Sequence, residues 1–381
     1  MRTNAMDSKT RVVPLFDLAR SITARREDVT RAFERIISTA DFTLGQDLEM
    51  FERRFAAFCG VKHCVGVSDG TSALRLGLTA LGARPGTRVI TVPNTFVATA
   101  EAIAGAGALP VLVDVDPSTR CMDPARLEGA LSDDLVAVVP VHLYGRVAPM
   151  AEINRICRTA GVKVLEDAAQ AHGAKYGGRR AGAWGDAAAF SFYPTKNLGA
   201  FGDAGALVCR EETTAVKVRS LRHHGCAPED PNRHLWVGSS ARMDNLQAAV
   251  LALRLEHLDS ENQQRREVAA RYRALLDHLP ATLPPTDRGE ARQVFHLFVV
   301  EVEDRDRVRE VMRSNGVGTG VHYPTPIHLQ PAWRHLGYAP GDFPVAERLA
   351  ATCLSLPCFP GITEEEQVRV ATALEAAVRE T

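Results

Sequence analysis

The sequence predicts an α/β protein in which a large, mostly parallel sheet carries helices on both faces and a smaller α+β unit follows at the C-terminal end. Three observations lead there. Short apolar runs alternate with helical patterns from Val61 to Cys209, as sequential βα units require. A helical stretch from Met243 to Leu279 is too long for one globular core and reads as a connector, bent near Asp259-Ser260. Beyond it the pattern changes to isolated strands and helices.

In chain order, residues from Pro14 to Phe58 read as helical, interrupted at Asp41-Phe-Thr-Leu-Gly45, with the second helix ending at Gly60. Val61 to Ser68 is a strand, and Ala73 to Leu81 a helix. Between them lies Asp69-Gly-Thr-Ser72. A strand, a one-glycine turn and a helix whose first turn holds Thr71 and Ser72 form a ready anion site, because free backbone N–H groups converge above Gly70. An ordinary helix cap by Asp69, Thr71 or Ser72 accounts for the same residues. The Gly-Lys pair of a Walker A loop is absent, and so is G-x-G-x-x-G.

Strands then follow at Arg88–Pro93, Pro110–Val115, Val136–Leu143 and Val162–Leu165, separated by helices at Phe96–Ala104, Pro124–Leu131 and Pro149–Ala160. The last strand ends in Glu166-Asp167, two carboxylates that are costly to leave unpartnered at a buried strand end. Lys175 to Trp184 is polar and glycine-rich, hence a loop, and Asp186 to Phe192 returns to the sheet. Pro194 cannot donate to a ladder, so the strand stops and releases Lys196 into a loop at its C-terminal end, where open α/β sheets place ligands. A lysine in such apolar sequence either reaches out to water or is a partly desolvated amine suited to forming a Schiff base. Gly205 to Cys209 is a further strand, and Cys226 to Ser240 a long loop. In the C-terminal part, Gln293–Glu303 and Val317–Tyr323 read as strands, and Arg305–Ser314, Pro344–Leu354 and Thr363–Arg379 as helices.

Composition narrows the function. With 45 Lys+Arg against 46 Asp+Glu, no global field attracts nucleic acid or an anionic membrane. No apolar segment approaches the roughly 20 residues of a membrane helix. The eight cysteines contain no C-x-x-C pair and read as reduced core residues, and Met1 to Lys9 is short and polar, unlike a signal peptide. A cytoplasmic protein is expected.

Lys196, Asp167, Ser191 and the Gly70-Thr71-Ser72 turn all fall at or near C-terminal strand ends of one sheet. A lysine for an imine, an acid for a ring nitrogen and a phosphate nest are what pyridoxal phosphate needs; Phe96, which an ordinary core aromatic at a helix start equally explains, could stack on the ring. Lys196 would then be both anchor and proton-moving base.

The residues Ser68-Asp-Gly-Thr-Ser-Ala-Leu74, Glu166-Asp-Ala-Ala-Gln-Ala-His-Gly-Ala174 and Ser191-Phe-Tyr-Pro-Thr-Lys-Asn-Leu-Gly199 resemble the cofactor motifs of the nucleotide-sugar aminotransferases of the DegT/StrS type, in the aspartate-aminotransferase superfamily. The resemblance runs from Val13 to Pro360. It implies fold type I, with a large cofactor domain built on a seven-stranded sheet over residues 1–250 and a small domain with its connecting helix over 251–381. It also implies that Lys196 is the Schiff-base lysine, Asp167 the partner of the pyridine nitrogen, Gln170 that of the ring hydroxyl and Phe96 the stacking aromatic. Gly70, Thr71 and Ser191 correspond to the phosphate cradle. The family works as a homodimer with shared active sites. Ser240 stands where a partner-subunit asparagine usually touches the phosphate, and Arg242 matches a partner-subunit arginine that meets the substrate's phosphates. His322 and Tyr323 resemble residues near the sugar in members that aminate C-3. The implied substrates are a dTDP- or UDP-linked keto-deoxysugar, aminated at C-3 in preference to C-4, and an amino donor, L-glutamate expected. A keto-cyclitol aminotransferase and a non-catalytic pyridoxal phosphate-binding sensor are the alternatives.

Overall fold

The computed structural model describes residues 12–379 apart from 24, 288 and 290, and of residue 21 only the backbone. The expectation placed on Met1–Lys9 lies outside these residues. Three helices come first: α1 (Leu18–Thr23), α2 (Arg26–Thr39) and α3 (Gln46–Cys59). Gly60, at φ 77°, ends α3 in the left-handed conformation that favours glycine.

The α/β region follows as β1 (His63–Val67), α4 (Gly70–Leu81), β2 (Arg88–Thr91), α5 (Ala98–Gly105), β3 (Leu109–Leu112), α6 (Pro124–Gly129), β4 (Leu135–Val138), α7 (Met150–Ala160) and β5 (Lys163–Asp167). A small hairpin of β6 (Lys175–Tyr176) and β7 (Arg179–Arg180) precedes β8 (Ala187–Ser191) and β9 (Gly205–Cys209). Seven of these strands form one sheet in the order β1-β9-β8-β5-β4-β2-β3, in which β9 pairs antiparallel with both neighbours and the other pairings are parallel. The C-terminal ends of β1, β2, β5 and β8 therefore share one edge. Alternate residues feed two cores: Ala188 and Phe190 pack with Val164 on one face, while Ala187 and Ala189 pack with Leu165 on the other.

The chain continues through α8 (Glu212–Leu221), β10 (Cys226–Ala227), β11 (Asp230–His234), α9 (Asn245–Leu255) and α10 (Leu258–Leu276). Its last part comprises β12 (Phe298–Glu301), α11 (Arg305–Ser314), α12 (Pro344–Thr352), β13 (Cys353–Leu356) and α13 (Glu364–Arg379). β12 and β13 pair antiparallel, and a separate core joins them to Tyr272, Met312 and Leu374.

Several expectations are corrected. The 226–240 loop contains the hairpin β10–β11, whose second strand is exposed throughout, so no hydrophobic alternation marked it. Helix α8 was not read. The connector is two helices that break at Glu256-His257, where Asp259 and Glu261 supply the negative first turn of α10. Val317–Tyr323 is not a strand: it makes only isolated bridges, Val317 with Val13 and Gly320 with Ser355. Helix α12 stops at Thr352, because Cys353–Leu356 is drawn into pairing with β12. That strand in turn starts at Phe298 rather than Gln293, after Phe295 at φ 42°.

Candidate active site

The shared edge of the sheet opens into a cavity of about 520 Å³, the size of a small-ligand site. Lys196 enters it from the loop after β8. Phe192 N–H still pairs with Ala204 O at 2.7 Å, then Pro194 ends the ladder and Lys196 N–H closes a turn onto Tyr193 O at 2.8 Å. Burial pulls the Lys196 amine down to about 8, with Asp167 opposing that fall.

Asp167 closes β5. Its backbone N–H reaches Pro140 O at 2.9 Å, and its carboxylate accepts Thr99 Oγ1 on Oδ2 at 2.8 Å and Ala169 N–H on Oδ1 at 3.2 Å. Burial still leaves the carboxyl above its ordinary range, against the pull of Thr99, Ala169 and Lys196.

Gly70 and Thr71 begin α4 over the end of β1 and line the cavity with Ser191. A Cβ on Gly70 would lie 2.7 Å from Ser191 Cβ, so only glycine lets the helix start approach the strand this closely. The first turn of α4 and the Ser191 hydroxyl thus border the same cavity side by side, an arrangement suited to an anion. Ser72 does something else. Asp69 caps α4 by accepting Ser72 N–H at 2.7 Å, the Ser72 hydroxyl donates to Asp69 at 2.9 Å, and its side chain does not border the cavity.

Gln170 accepts Tyr144 N–H at 2.7 Å on Oε1 and donates through Nε2 to the Tyr323 hydroxyl at 3.1 Å, leaving one amide proton for a ligand. Phe96 is half exposed at the rim, with its ring 5.5 Å from that of Tyr323. His322 Nδ1 meets the buried Ser355 hydroxyl at 2.8 Å, and Tyr144 OH donates to the His322 carbonyl. Burial, then Lys196, drives His322 down to about 4, so its ring is neutral at physiological pH.

The cavity therefore gathers Lys196, Asp167, Gly70, Thr71, Ser191, Gln170, Phe96, His322 and Tyr323. Ser240 and Arg242 are not in its wall. Arg242 donates to Ser240 Oγ and to His223 Nδ1, each at 2.9 Å, beside the end of β1. Sequence reasoning missed Phe16, Thr95, Thr99, Asp203 and His296, which also line the space. Thr95 and Thr99 stand four positions apart in the sequence on either side of Phe96, a spacing that could have been noticed. His296 carried no local signal. It comes from a distant segment and is fixed against Asn197 Oδ1 at 3.3 Å, while Asn197 Nδ2 donates to Asn262 and Val294 O.

The family model for the DegT/DnrJ/EryC1/StrS aminotransferase family matches residues 23–375. The protein named erythromycin biosynthesis sensory transduction protein EryC1, from Saccharopolyspora erythraea, is 42% identical over 96% of this chain and 99% of its own. The dTDP-3-amino-3,4,6-trideoxy-alpha-D-glucose transaminase of Streptomyces venezuelae is 41% identical over 95% of both chains. The crystal structure of S. venezuelae DesV superposes with a TM-score of 0.93 at 41% identity, covering 96% of this chain and 98% of that one. With a fold, a strand-end lysine site and a near full-length match in agreement, the chain belongs to the DegT/DnrJ/EryC1/StrS aminotransferase family.

Proposed function

We propose that the chain is a pyridoxal phosphate-dependent aminotransferase that moves an amino group from L-glutamate to the C-3 keto group of a dTDP- or UDP-linked deoxysugar. The observation that carries this reading is the Lys196 amine sharing one cavity with the Asp167 carboxylate, beside the glycine-made cradle at Gly70. These residues fit the cofactor. Lys196 would hold its aldehyde carbon, Asp167 its ring nitrogen, Gln170 its ring hydroxyl, and Gly70, Thr71 and Ser191 its phosphate, with Phe96 against the ring. When bound, pyridoxal phosphate supplies the electron sink for breaking the α C–H bond. Lys196 Nζ, pulled down to about 8, would take the proton from that carbon and deliver it to the carbon that had been the cofactor's aldehyde, and would run the same transfer in reverse toward the sugar carbon. Asp167 holds the proton on the ring nitrogen, and His322 and Tyr323 orient the sugar.

The choice of C-3 is supported by the name of the S. venezuelae relative, a 3-amino-sugar transaminase matched over nearly its whole length. Ser240 and Arg242 lie outside this chain's own cavity, which fits their acting across a homodimer in a partner's site. On this reading residues 1–250 make the cofactor domain and 251–381 the small domain. A cytoplasmic location agrees with eight free, buried cysteines and with the absence, among the described residues, of any helix long and apolar enough to cross a membrane.

The name of the S. erythraea relative raises a second reading, a sensor that binds the cofactor without turnover. The intact Lys196–Asp167 pair speaks against it. Purified protein incubated with pyridoxal phosphate, L-glutamate and a dTDP-3-keto-deoxysugar should yield the 3-amino sugar. Lys196→Ala should lower turnover by at least about 10²–10⁴-fold. Bound cofactor with no amination of any nucleotide keto-sugar or keto-cyclitol would favour the sensor; amination of a keto-cyclitol alone would move the acceptor to that class.

A further inference from the structure

The Asp167 carboxylate is held by donors only. Ala169 N–H occupies Oδ1 at 3.2 Å and Thr99 Oγ1 occupies Oδ2 at 2.8 Å. The Thr99 hydroxyl has one proton, and an ionised carboxylate can only accept, so that proton points at Asp167. The 3.0 Å contact between Thr99 and Thr95 must then be donated by Thr95. All three side chains are more than nine-tenths buried, so little of these groups is open to water. The result is a directed chain of hydroxyls, Thr95 to Thr99 to Asp167, running from the loop before α5 through the first turn of that helix to the end of β5.

Its direction matters. A neutral Asp167 would need an acceptor for its own proton, and neither protein partner offers one without reversing the whole chain. The backbone of Asp167 is equally constrained, with its N–H on Pro140 O at 2.9 Å and its carbonyl accepting His142 N–H at 3.0 Å. The carboxylate plane is therefore pinned at both oxygens, while burial works in the opposite sense and favours the neutral acid.

We propose that Thr99, polarised by Thr95, is a positioning residue that keeps Asp167 ionised and aimed at the ring nitrogen of pyridoxal phosphate; the proposal rests on the cofactor reading above. Threonine serves here because its hydroxyl donates while its methyl is buried with the rest of the side chain. Valine keeps the shape and removes the donor. Serine keeps the donor and removes the methyl.

The test uses the full chain reconstituted with pyridoxal phosphate labelled with ¹⁵N in the ring, comparing wild type, Thr99→Val, Thr99→Ser and Thr95→Val. The ¹⁵N shift reports ring protonation, and dialysis reports cofactor retention. Thr99→Val should move the shift toward the unprotonated nitrogen and weaken cofactor binding by about ten-fold or more, the scale of one lost hydrogen bond to a charged group. Thr99→Ser should restore both readouts, and Thr95→Val should fall between. A wild-type shift and retention in Thr99→Val overturns the proposal, as does a Thr99→Ser protein impaired in the same way, which would assign the site to packing. If Thr99→Val does not fold, the serine and Thr95 variants carry the comparison. Wild-type protein that binds the cofactor with an unprotonated nitrogen overturns this proposal alone; wild-type protein that binds no pyridoxal phosphate overturns the cofactor reading with it.

Discussion

Glu166 and Asp167 are neighbours on β5, and the alternation of the strand sends them to opposite faces of the sheet with opposite electrostatic outcomes. The Glu166 carboxylate accepts His142 Nε2 and the N–H groups of Gly182, Trp184 and Gly185, each at 2.8 Å. Ala148 N–H donates to His142 Nδ1 at 3.2 Å, which puts the imidazole proton on Nε2, facing Glu166. Burial raises the Glu166 carboxyl, but these donors outweigh it and the net shift is downward. For Asp167, with fewer donors, burial prevails. One carboxylate anchors the sheet, and burial leaves its neighbour shifted toward the neutral acid at the cavity wall.

Replacing Glu166 by leucine should therefore be severe, since it takes the acceptor from the buried His142, from the buried Gly182 N–H and from the partly buried N–H groups of Trp184 and Gly185. A loss of about 3–5 kcal/mol in unfolding free energy is expected in urea titration. Because its folded pKa is lowered, the stabilisation from Glu166 is complete above the unfolded value of about 4.3 and is lost as pH falls through the folded value. Glu166→Gln should flatten that acid limb. Parallel acid limbs for Glu166→Gln and wild type would remove Glu166 as its source.

Asp167 predicts the reverse sign. Its folded pKa is raised, so ionising it costs stability once pH exceeds the unfolded value of about 3.9, and the full cost is carried above the folded value. In cofactor-free protein at pH 7, Asp167→Asn should raise Tm while abolishing transamination. The same change removes the charge that supports protonated Lys196. The rate of pyridoxal phosphate capture should rise with pH around a midpoint near 8 in wild type, as the amine loses its proton, and around a lower one in Asp167→Asn. A midpoint that moves upward would contradict the pairing.

How much of this was legible follows from which interactions are local. Asp167, Ser191 and Lys196 could be read because each sits where a single strand ends, and strand ends show in apolar runs and in Pro194. Gly70 could be read from one turn. Tertiary pairing decided the rest. Nothing between Pro344 and Leu356 tells helix from strand at Cys353, because the partner strand β12 lies more than fifty residues earlier. His296 reaches the cavity only through Asn197 and Asn262, and the alternation that would mark a strand is missing from the exposed β11.

The close approach of α4 to β8 gives a steric prediction. In Gly70→Ala the new methyl would meet Ser191 Cβ at 2.7 Å and Ser191 Cα at 3.2 Å. Ser191 cannot retreat easily, since it is paired with Gly205 of β9, and a Cβ there would itself meet Asp69 O at 2.3 Å. Opening this junction should cost about 1–3 kcal/mol of stability and release cofactor on dialysis. Full stability with full cofactor retention would show that the cradle is looser than its geometry.

The last prediction separates the two halves of the reaction. His322 is fixed by Ser355, which is fully buried on β13, while Tyr144 holds the His322 carbonyl, so the ring is set from the small sheet rather than from the strand that ends near Lys196. Burial and Lys196 keep that ring neutral, and a neutral imidazole can accept or donate to a sugar hydroxyl without competing for a phosphate charge. If its task is to orient the sugar, removing it should spare the glutamate half-reaction, which involves no sugar. His322→Ala should lower kcat/KM for the keto-sugar by about ten-fold, the scale of one or two hydrogen bonds. Ser355→Ala should do the same more weakly by freeing the ring. Stopped-flow measurement of each half-reaction decides the matter: an equal loss in both halves would move His322 from the sugar to the chemistry around Lys196.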